Sequence, residues 1–198
     1  HNVHGHAFTE DDVPQPQGAY AESKFQAEQA LFEIARKTAM EIVVVRPPLV
    51  YGPNVRANFL SLLKIIHRGV WLPLKRVNNA RSYIYVENLV DFISVCLQHP
   101  RAANQVFLVS DGRDISTPDL IEKSAEALGV KPKLVSLPQA WLAFFSKLLG
   151  KEALYQRVCG DLSVDTTKAK RLLEWRAPYS LEKGLQSTVQ AFKKTPEV

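Results

Sequence analysis

Cysteine is scarce in this sequence of 198 residues, which contains only Cys96 and Cys159. Because the two lie far apart and show no metal-type spacing, we interpret them as free thiols of a reducing compartment and assign chemistry to neither. His1, His4 and His6 are closely spaced, but a terminal loop without a nearby cysteine does not resemble a closed zinc site. We therefore predict no metal centre.

Long apolar stretches are also missing. No run reaches the ~18 residues that a membrane span requires. The N-terminus has no basic segment followed by an apolar one, as a signal peptide would have. We therefore expect a cytoplasmic protein without a membrane span.

Glycine clusters are absent as well. The nine glycines never form a G-x-G-x-x-G or G-x-x-G-x-x-G pattern, so this chain has no glycine-rich cradle for a dinucleotide pyrophosphate. The sequence also begins with a polar loop rather than with a first strand. We expect a fragment, or a chain that lacks its front end.

The composition is that of a globular protein, with 46% hydrophobic and 23% charged residues. The net charge of +5 is spread along the chain, and no run of lysine and arginine is interleaved with aromatic residues. We therefore expect no nucleic-acid partner, since a small ligand that carries phosphate explains the charge equally well.

Apolar periodicity predicts alternating helices and strands. From Tyr20 onward apolar residues recur at three and four positions, which predicts an amphipathic helix whose charged residues Glu28 and Glu33 point elsewhere. The β-branched run from Glu41 to Arg46 predicts a strand covered on both faces, and a loop should follow it. Further patterns predict a helix around 59–66, a strand at 83–86, a helix at 87–98, a strand at 105–109, and helices at 117–128, 139–149, 167–173 and 181–192.

Tyr20 and Lys24 lie one turn apart on one face of the first predicted helix. The face continues through Ala27 and Leu31, so we expect the pair to point toward the sheet. A free phenol has a pKa of about 10, but a fixed ammonium group stabilises the phenolate and lowers that value. Such a phenol can move a proton on and off a sugar hydroxyl. On its own, this five-residue pattern is more often a chance pair with a snorkelling lysine.

The pair lies within the first of three stretches that occur in order along the chain: PQGAYAESKFQAE at 16–28, VVRPPLVYGP at 44–53 and RSYIYVENL at 81–89. Together with the closing segment VDTTKAKRLLEW at 164–175, they resemble the extended short-chain dehydrogenase/reductase family, in its nucleotide-sugar epimerase/dehydratase branch. The resemblance covers essentially the whole chain.

This resemblance implies roles for five residues. Tyr20 would be the catalytic acid/base, and Lys24 would lower its pKa while hydrogen-bonding the nicotinamide ribose of NAD. Pro47 would bind the cofactor with them. Arg81 and Asn58 would contact the diphosphate of a nucleoside-diphosphate sugar; without the resemblance they are a surface arginine and an N-cap asparagine.

The resemblance also implies a fold. We predict the C-terminal part of a doubly wound, Rossmann-like parallel sheet in an α/β protein, with a small, mostly helical substrate-binding cap. Residues 1–110 would be the later half of the Rossmann-like domain with interleaved substrate-binding segments, and 111–198 a mostly helical substrate-binding region. The helix at 139–149 is apolar around much of its circumference, which we interpret as core or subunit packing. A membrane-surface helix is the alternative, although a strongly basic opposite face is missing.

Some positions fall outside the chain or depart from the family's pattern. Since Val3-His4-Gly5 matches the tripeptide that follows the family's catalytic Ser or Thr, that residue and the glycine-rich loop would lie upstream of His1. Leu49 stands where several sugar epimerases have an asparagine. His1 and Asn2 stand where 4,6-dehydratases of the branch carry an Asp-Glu pair, so we expect epimerisation without loss of water.

The functional hypothesis is a nucleoside-diphosphate-sugar 4-epimerase of the UDP-hexose type, dependent on NAD and homodimeric when complete. The fragment itself would be inactive without its N-terminal half. Two alternatives stay open: an NAD(P)-dependent keto-sugar reductase that uses the same Tyr20 and Lys24, and a non-catalytic fragment that binds a sugar nucleotide.

Overall fold

The computed structural model describes residues 6–194, in which helices dominate and the strands are short. The helices are α1 (Ala19–Lys37), α2 (Ala57–His67), α3 (Val86–Gln98), α4 (Thr117–Leu128), α5 (Gln139–Leu148), α6 (Glu152–Cys159), α7 (Thr167–Leu173) and α8 (Leu181–Lys193). The strands are β1 (Val43–Arg46), β2 (Leu49–Tyr51), β3 (Tyr83–Tyr85) and β4 (Gln105–Leu108). Most predicted elements are confirmed; β2 and α6 were not predicted.

Both pairs of named strands in the described part are parallel, which confirms the predicted α/β class. β1 pairs with β4 from Val43 opposite Gln105 to Arg46 opposite Leu108, and β2 pairs with β3. Within residues 6–194, β4 is the only strand that pairs with β1. The three valines of β1 point alternately to its two faces and all are only half-buried, so the prediction that both faces of this strand are covered is wrong for the described chain.

Two apolar cores hold the elements together. The first lies between the β2–β3 pair and helices α2, α4 and α8, with Tyr51, Phe59 and Leu185 among its buried members. The second joins α3, β4 and α7 around Phe92 and Phe107. The first core takes side chains from both sides of residue 110, and the domain boundary there stays a prediction.

A partly buried carboxylate after β4 connects several of these elements. Asp111 accepts hydrogen bonds from the Tyr51 hydroxyl at 2.7 Å, the Tyr85 backbone N–H at 2.9 Å and the Asn88 amide at 2.7 Å. Burial raises the pKa of Asp111, although these hydrogen bonds lower it. Asn88 also donates to the Tyr179 carbonyl, so the network ties β2, β3 and α3 to the segment that leads into α8.

The helix α5 differs from its interpretation as a core helix, since none of its residues is buried. It packs against α6 and leaves most of its apolar side chains exposed. Interpreting this segment as core packing is therefore wrong. Subunit packing and membrane-surface binding remain as the two interpretations of this helix.

Candidate active site

The site forms where parallel strands end. β1 and β4 finish at the paired residues Arg46 and Leu108, so Pro47 and the loop after Leu108 share one edge of the sheet. α1 enters β1 through the short connection 38–42, so helix and strand run in opposite directions. The N-terminal end of α1, which carries Tyr20, therefore lies toward the carboxyl edge, where open α/β sheets bind ligands.

An ion pair ties α1 to this edge. The Arg46 guanidinium donates from Nε to Glu28 Oε2 at 3.1 Å and from Nη2 to Glu28 Oε1, which is a bidentate arrangement. The side chain of Glu28 is only 13% exposed, so the prediction that Glu28 points away from the packed face is wrong. Its spacing of three residues after Phe25 and four residues before Phe32 was the signal in the sequence that could have placed it on this face.

Tyr20 and Lys24 lie together, but on the open side of α1. Lys24 Nζ is 5.7 Å from the centroid of the Tyr20 ring. Tyr20 is 77% exposed, so the prediction that this pair points toward the sheet is wrong. The half-buried face of α1 is instead formed by Ala21, Phe25, Glu28, Phe32 and Ala35.

Size and pairing explain this choice of face. Phe25 and Phe32 bury more apolar area than the Ala27 and Leu31 of the predicted stripe. The partly buried Glu28 on the same face is satisfied by Arg46. The rotation of α1 therefore leaves the Tyr20 phenol open to a ligand.

Arg81 lies inside the molecule. It is 7% exposed, and its Nη1 donates to the Gly160 carbonyl at 2.8 Å. The alternative of a surface arginine is therefore wrong. Burial raises the pKa values of the neighbouring Tyr83 and Cys159, whereas the charge of Arg81 opposes both shifts.

A second buried polar residue, Asn79, holds the same segment, and sequence reasoning missed it. Its amide donates to the carbonyls of Val158 and Gly160, each at 3.2 Å, and to the Thr117 hydroxyl at 3.1 Å. Its own carbonyl accepts from the Thr117 backbone N–H at 2.8 Å. Asn79 and Arg81 together fix the end of α6 against the start of α4.

The remaining predicted residues are exposed on other elements. Asn58 is the second residue of α2, whose N-cap is Arg56 without a side-chain capping bond, so the N-cap alternative for Asn58 is wrong. Pro47 is exposed directly after β1. Within residues 6–194, no hydrogen bond or ion pair joins Asn58 or Arg81 to Tyr20 or Lys24.

A small cleft of about 260 Å³ opens beside the loop after β4. Its lining is mostly polar: Ala7, Ser110, Gly112, Asp114, Val164, Asp165, Thr166 and Lys170. Drug-sized ligands occupy roughly 300–1,000 Å³, and Tyr20 is not in this lining. The cleft is therefore separate from the Tyr20–Lys24 pair and too small for a nucleotide sugar.

Two further groups of residues are the possible metal ligands, which do not cluster within residues 6–194, and the two cysteines. No group of three His, Cys, Asp or Glu residues between 6 and 194 could hold a metal ion. His1, Asn2 and the tripeptide Val3-His4-Gly5 lie outside the described residues. Both cysteines are free, and burial raises the pKa of Cys96 to about 11, which leaves its thiol protonated near neutral pH.

Comparison with known proteins identifies relatives along the chain. The family model "NAD dependent epimerase/dehydratase family" matches residues 2–110. A UDP-glucose 4-epimerase of Vibrio cholerae is 41% identical over 95% of this chain and 58% of its own length. An N-acetyl-alpha-D-glucosaminyl-diphospho-ditrans,octacis-undecaprenol 4-epimerase of Escherichia coli O157:H7 is 28% identical over 96% of this chain and 61% of its own length. The chain thus spans about six-tenths of these relatives.

Solved structures show the same architecture. The UDP-glucose 4-epimerase of Thermotoga maritima, solved with UDP-glucose, superposes with a TM-score of 0.73 at 25% identity, over 98% of this chain and 59% of that chain. A Bacillus cereus UDP-glucuronic acid 4-epimerase, solved with NAD, gives 0.73 at 21% identity over 94% of this chain and 55% of that chain. These likenesses confirm the Rossmann-like fold.

Proposed function

Because this chain belongs to the NAD-dependent epimerase/dehydratase family, we propose that the protein is a nucleoside-diphosphate-sugar 4-epimerase that acts on a UDP-hexose. The 41% identity with a UDP-glucose 4-epimerase supports the proposal. The observation that carries it is the exposed Tyr20 phenol beside Lys24, at the end of α1 that faces the carboxyl edge of the sheet. A reacting hydroxyl can reach the phenol there.

Tyr20 is the proposed acid and base. Its oxygen would take the proton of the sugar hydroxyl as the adjacent carbon becomes a ketone, and would return it when the ketone is reduced. Lys24 supplies a positive charge one helical turn away, and no carboxylate in residues 6–194 lies within ion-pair distance of its ammonium group. Its charge therefore remains available to the phenolate.

The residues present fit the nicotinamide end of a dinucleotide. Tyr20, Lys24 and Pro47 are all exposed near the carboxyl edge and would hold the nicotinamide ribose. A cofactor held there would supply reversible hydride transfer at the sugar carbon. No glycine-rich pattern for the pyrophosphate occurs in this sequence, so the chain carries one end of the cofactor site.

Arg81 and Asn58 remain the proposed contacts to the substrate diphosphate. Arg81 uses Nη1 on Gly160, and a guanidinium has five N–H donors, which leaves others for a phosphate. Asn58 is exposed in the first turn of α2, where backbone N–H groups also point outward. Leu49, in place of the asparagine of several sugar epimerases, leaves the identity of the hexose open.

We further propose a cytoplasmic homodimer as the working state. The exposed side chains Leu31 and Ile34 on α1 offer apolar surface for a subunit contact. No helix within residues 6–194 is long and apolar enough to cross a membrane.

Cofactor accounting tests the proposed activity. The complete natural polypeptide, incubated with UDP-glucose and a trace of NAD, should form UDP-galactose over many turnovers per NAD without net NADH. An epimerase returns its hydride, whereas a keto-sugar reductase consumes one reduced cofactor for each product. No UDP-galactose from UDP-glucose, together with one NADH consumed for each molecule of a UDP-4-keto-hexose that is reduced, would contradict the proposal and favour the reductase.

A further inference from the structure

A cluster of exposed apolar side chains lies on α5 and the residue after it. Its exposed members are Trp141, Phe144, Phe145, Leu148 and Leu149, which we call the α5 patch. Leu148 is 69% exposed and Phe144 is 62% exposed. The aromatic rings are neighbours, with Trp141 to Phe145 at 6.0 Å and Phe144 to Phe145 at 5.7 Å between centroids. Contiguous apolar surface of this kind marks an interaction site on a soluble protein.

The chain around the patch carries one sign of charge. Residues 130–151 contain four lysines, at 131, 133, 147 and 151, and no acidic residue. All four are exposed. The first acid that follows is Glu152, at the start of α6. The apolar patch is therefore flanked by positive charges along the chain.

A second acid-free segment lies against the first. Residues 42–86 contain seven lysines and arginines and no Asp or Glu. The Leu72 N–H donates to the Lys133 carbonyl at 2.8 Å, and the Val135 N–H donates to the Leu72 carbonyl at 2.8 Å. This pairing sets the exposed Trp71 beside Lys133, whose Nζ is 5.6 Å from the Trp71 ring centroid. Trp71 is thus a second exposed aromatic side chain beside a cation, and its neighbour Lys133 lies a few residues before the start of α5.

The charge and the composition of the α5 patch together indicate which kind of partner binds it. Lysines with exposed Trp, Phe and Leu are the features of helices that lie in the headgroup region of a bilayer, where cations meet anionic lipids. α5 has ten residues, so at about 1.5 Å per residue it is too short to span but long enough to lie in the interface. A twofold contact between copies would bring like-charged lysines together, which opposes association.

We propose that the α5 patch, with Lys147 and Lys151, binds the surface of an anionic phospholipid bilayer. The apolar side chains enter the acyl–headgroup boundary while the lysines remain at the phosphate level. The protein is then a peripheral membrane protein. The inference does not depend on the proposed epimerase activity, because binding to vesicles is measured without substrate.

Vesicle flotation with the complete natural polypeptide tests the inference. We expect binding to vesicles in which about a third of the lipid is phosphatidylglycerol, weaker binding at high salt, and little binding to pure phosphatidylcholine. Phe144→Ser together with Leu148→Ser should weaken binding about tenfold or more, since it removes two exposed apolar anchors. The matched control is Leu97→Ser, an 83% exposed apolar residue on α3, which should bind as the wild type does.

Charge variants separate lipid attraction from general stickiness. Lys147→Glu with Lys151→Glu should weaken binding to anionic vesicles about tenfold, whereas Lys183→Glu with Lys193→Glu on α8 should leave it unchanged. Tryptophan fluorescence should be quenched by lipids brominated on their acyl chains, and Trp141→Phe should reduce that quenching. Circular dichroism confirms that each variant is folded.

Three results would overturn the inference: no binding of the wild type to anionic vesicles, equal binding of the α5 variants and their controls, or self-association abolished by the Phe144 and Leu148 changes without any vesicle binding. The last result would make the α5 patch an interface between copies of the chain.

Discussion

At the scale of single residues, the proposed function assigns roles to one phenol and one guanidinium, and these two groups have opposite surroundings. Tyr20 is open to solvent beside an ammonium group, whereas Arg81 is enclosed by its own chain. The first arrangement suits a group that exchanges a proton with an incoming substrate. The second suits a charge held in a fixed position.

Tyr20→Phe should lower kcat of the complete natural polypeptide by about a hundredfold or more, with sugar-nucleotide binding nearly unchanged. Phe retains the ring and removes only the ionisable oxygen. Steady-state kinetics measure kcat, and calorimetry with UDP-glucose measures the binding of the sugar nucleotide. Tyr179→Phe is the control. Because Tyr179 belongs to the structural segment before α8, this variant should have the wild-type kcat. A Tyr20→Phe variant with the wild-type rate would contradict the assigned role.

Arg81→Ala should weaken UDP binding by roughly 1.5–3 kcal/mol, which is the contribution of a hydrogen bond to a charged group. It should also lower the free energy of unfolding, because the Gly160 carbonyl loses a donor. Calorimetry and denaturant titration separate the two effects, and Arg81→Lys should retain part of the UDP affinity. Lower stability with unchanged UDP affinity would show that Arg81 has only a structural role.

At the scale of elements, a close approach between α8 and β2 places the C-terminal helix. Gly184 faces the Tyr51 ring, and a Cβ there would lie 2.5 Å from the Tyr51 hydroxyl oxygen and 2.8 Å from a ring carbon. That hydroxyl donates to Asp111, which also holds β3 and α3. One missing methyl group thus allows the contact between these elements.

Gly184→Ala should therefore destabilise the protein despite better helix propensity. Alanine gains about 1 kcal/mol in a helix interior. The clash costs roughly 1–3 kcal/mol, and loss of the Tyr51–Asp111 hydrogen bond adds about 1–3 kcal/mol. Denaturant unfolding should show a net loss of about 1–5 kcal/mol in the free energy of unfolding. Gln190→Ala, at an exposed position of α8, is the control, and a Gly184→Ala variant as stable as wild type would refute the packing argument.

The sequence predicts elements better than it predicts which side of an element is buried. The helix-start signals at Thr117, Pro118 and Asp119 correctly predict α4, although the N-cap is Ser116 rather than the expected Thr117. Periodicity misses β2, because three residues after two prolines contain no alternation. It also assigns the wrong face of α1, since the choice between two apolar stripes depends on Phe25, Phe32 and the distant Arg46. Tyr20 and Lys24 were identifiable as candidates from the family resemblance of the surrounding segments, since their spacing alone is more often a chance pair. Their exposure is a tertiary property.

At the scale of the whole molecule, the chain carries the proposed catalytic and substrate-binding groups, and no glycine-rich pattern for a dinucleotide pyrophosphate occurs in its sequence. The absence of a glycine-rich pattern predicts that residues 1–198 alone bind NAD more weakly than about micromolar, since backbone N–H groups at a helix N-terminus normally hold the pyrophosphate. Titration calorimetry on this chain checks the prediction. An affinity near micromolar or tighter would show that other residues form the cofactor site.

The most direct test of 4-epimerisation is the mass and configuration of the product formed in D₂O. The complete natural polypeptide should convert UDP-glucose to a product of the same mass, inverted at one carbon and without carbon-bound deuterium, because Tyr20 exchanges only the hydroxyl proton while the carbon hydrogen returns as hydride. A product about 18 Da lighter, with one water lost through acid–base elimination, would identify a dehydratase. Deuterium on the inverted carbon would likewise contradict the assigned chemistry.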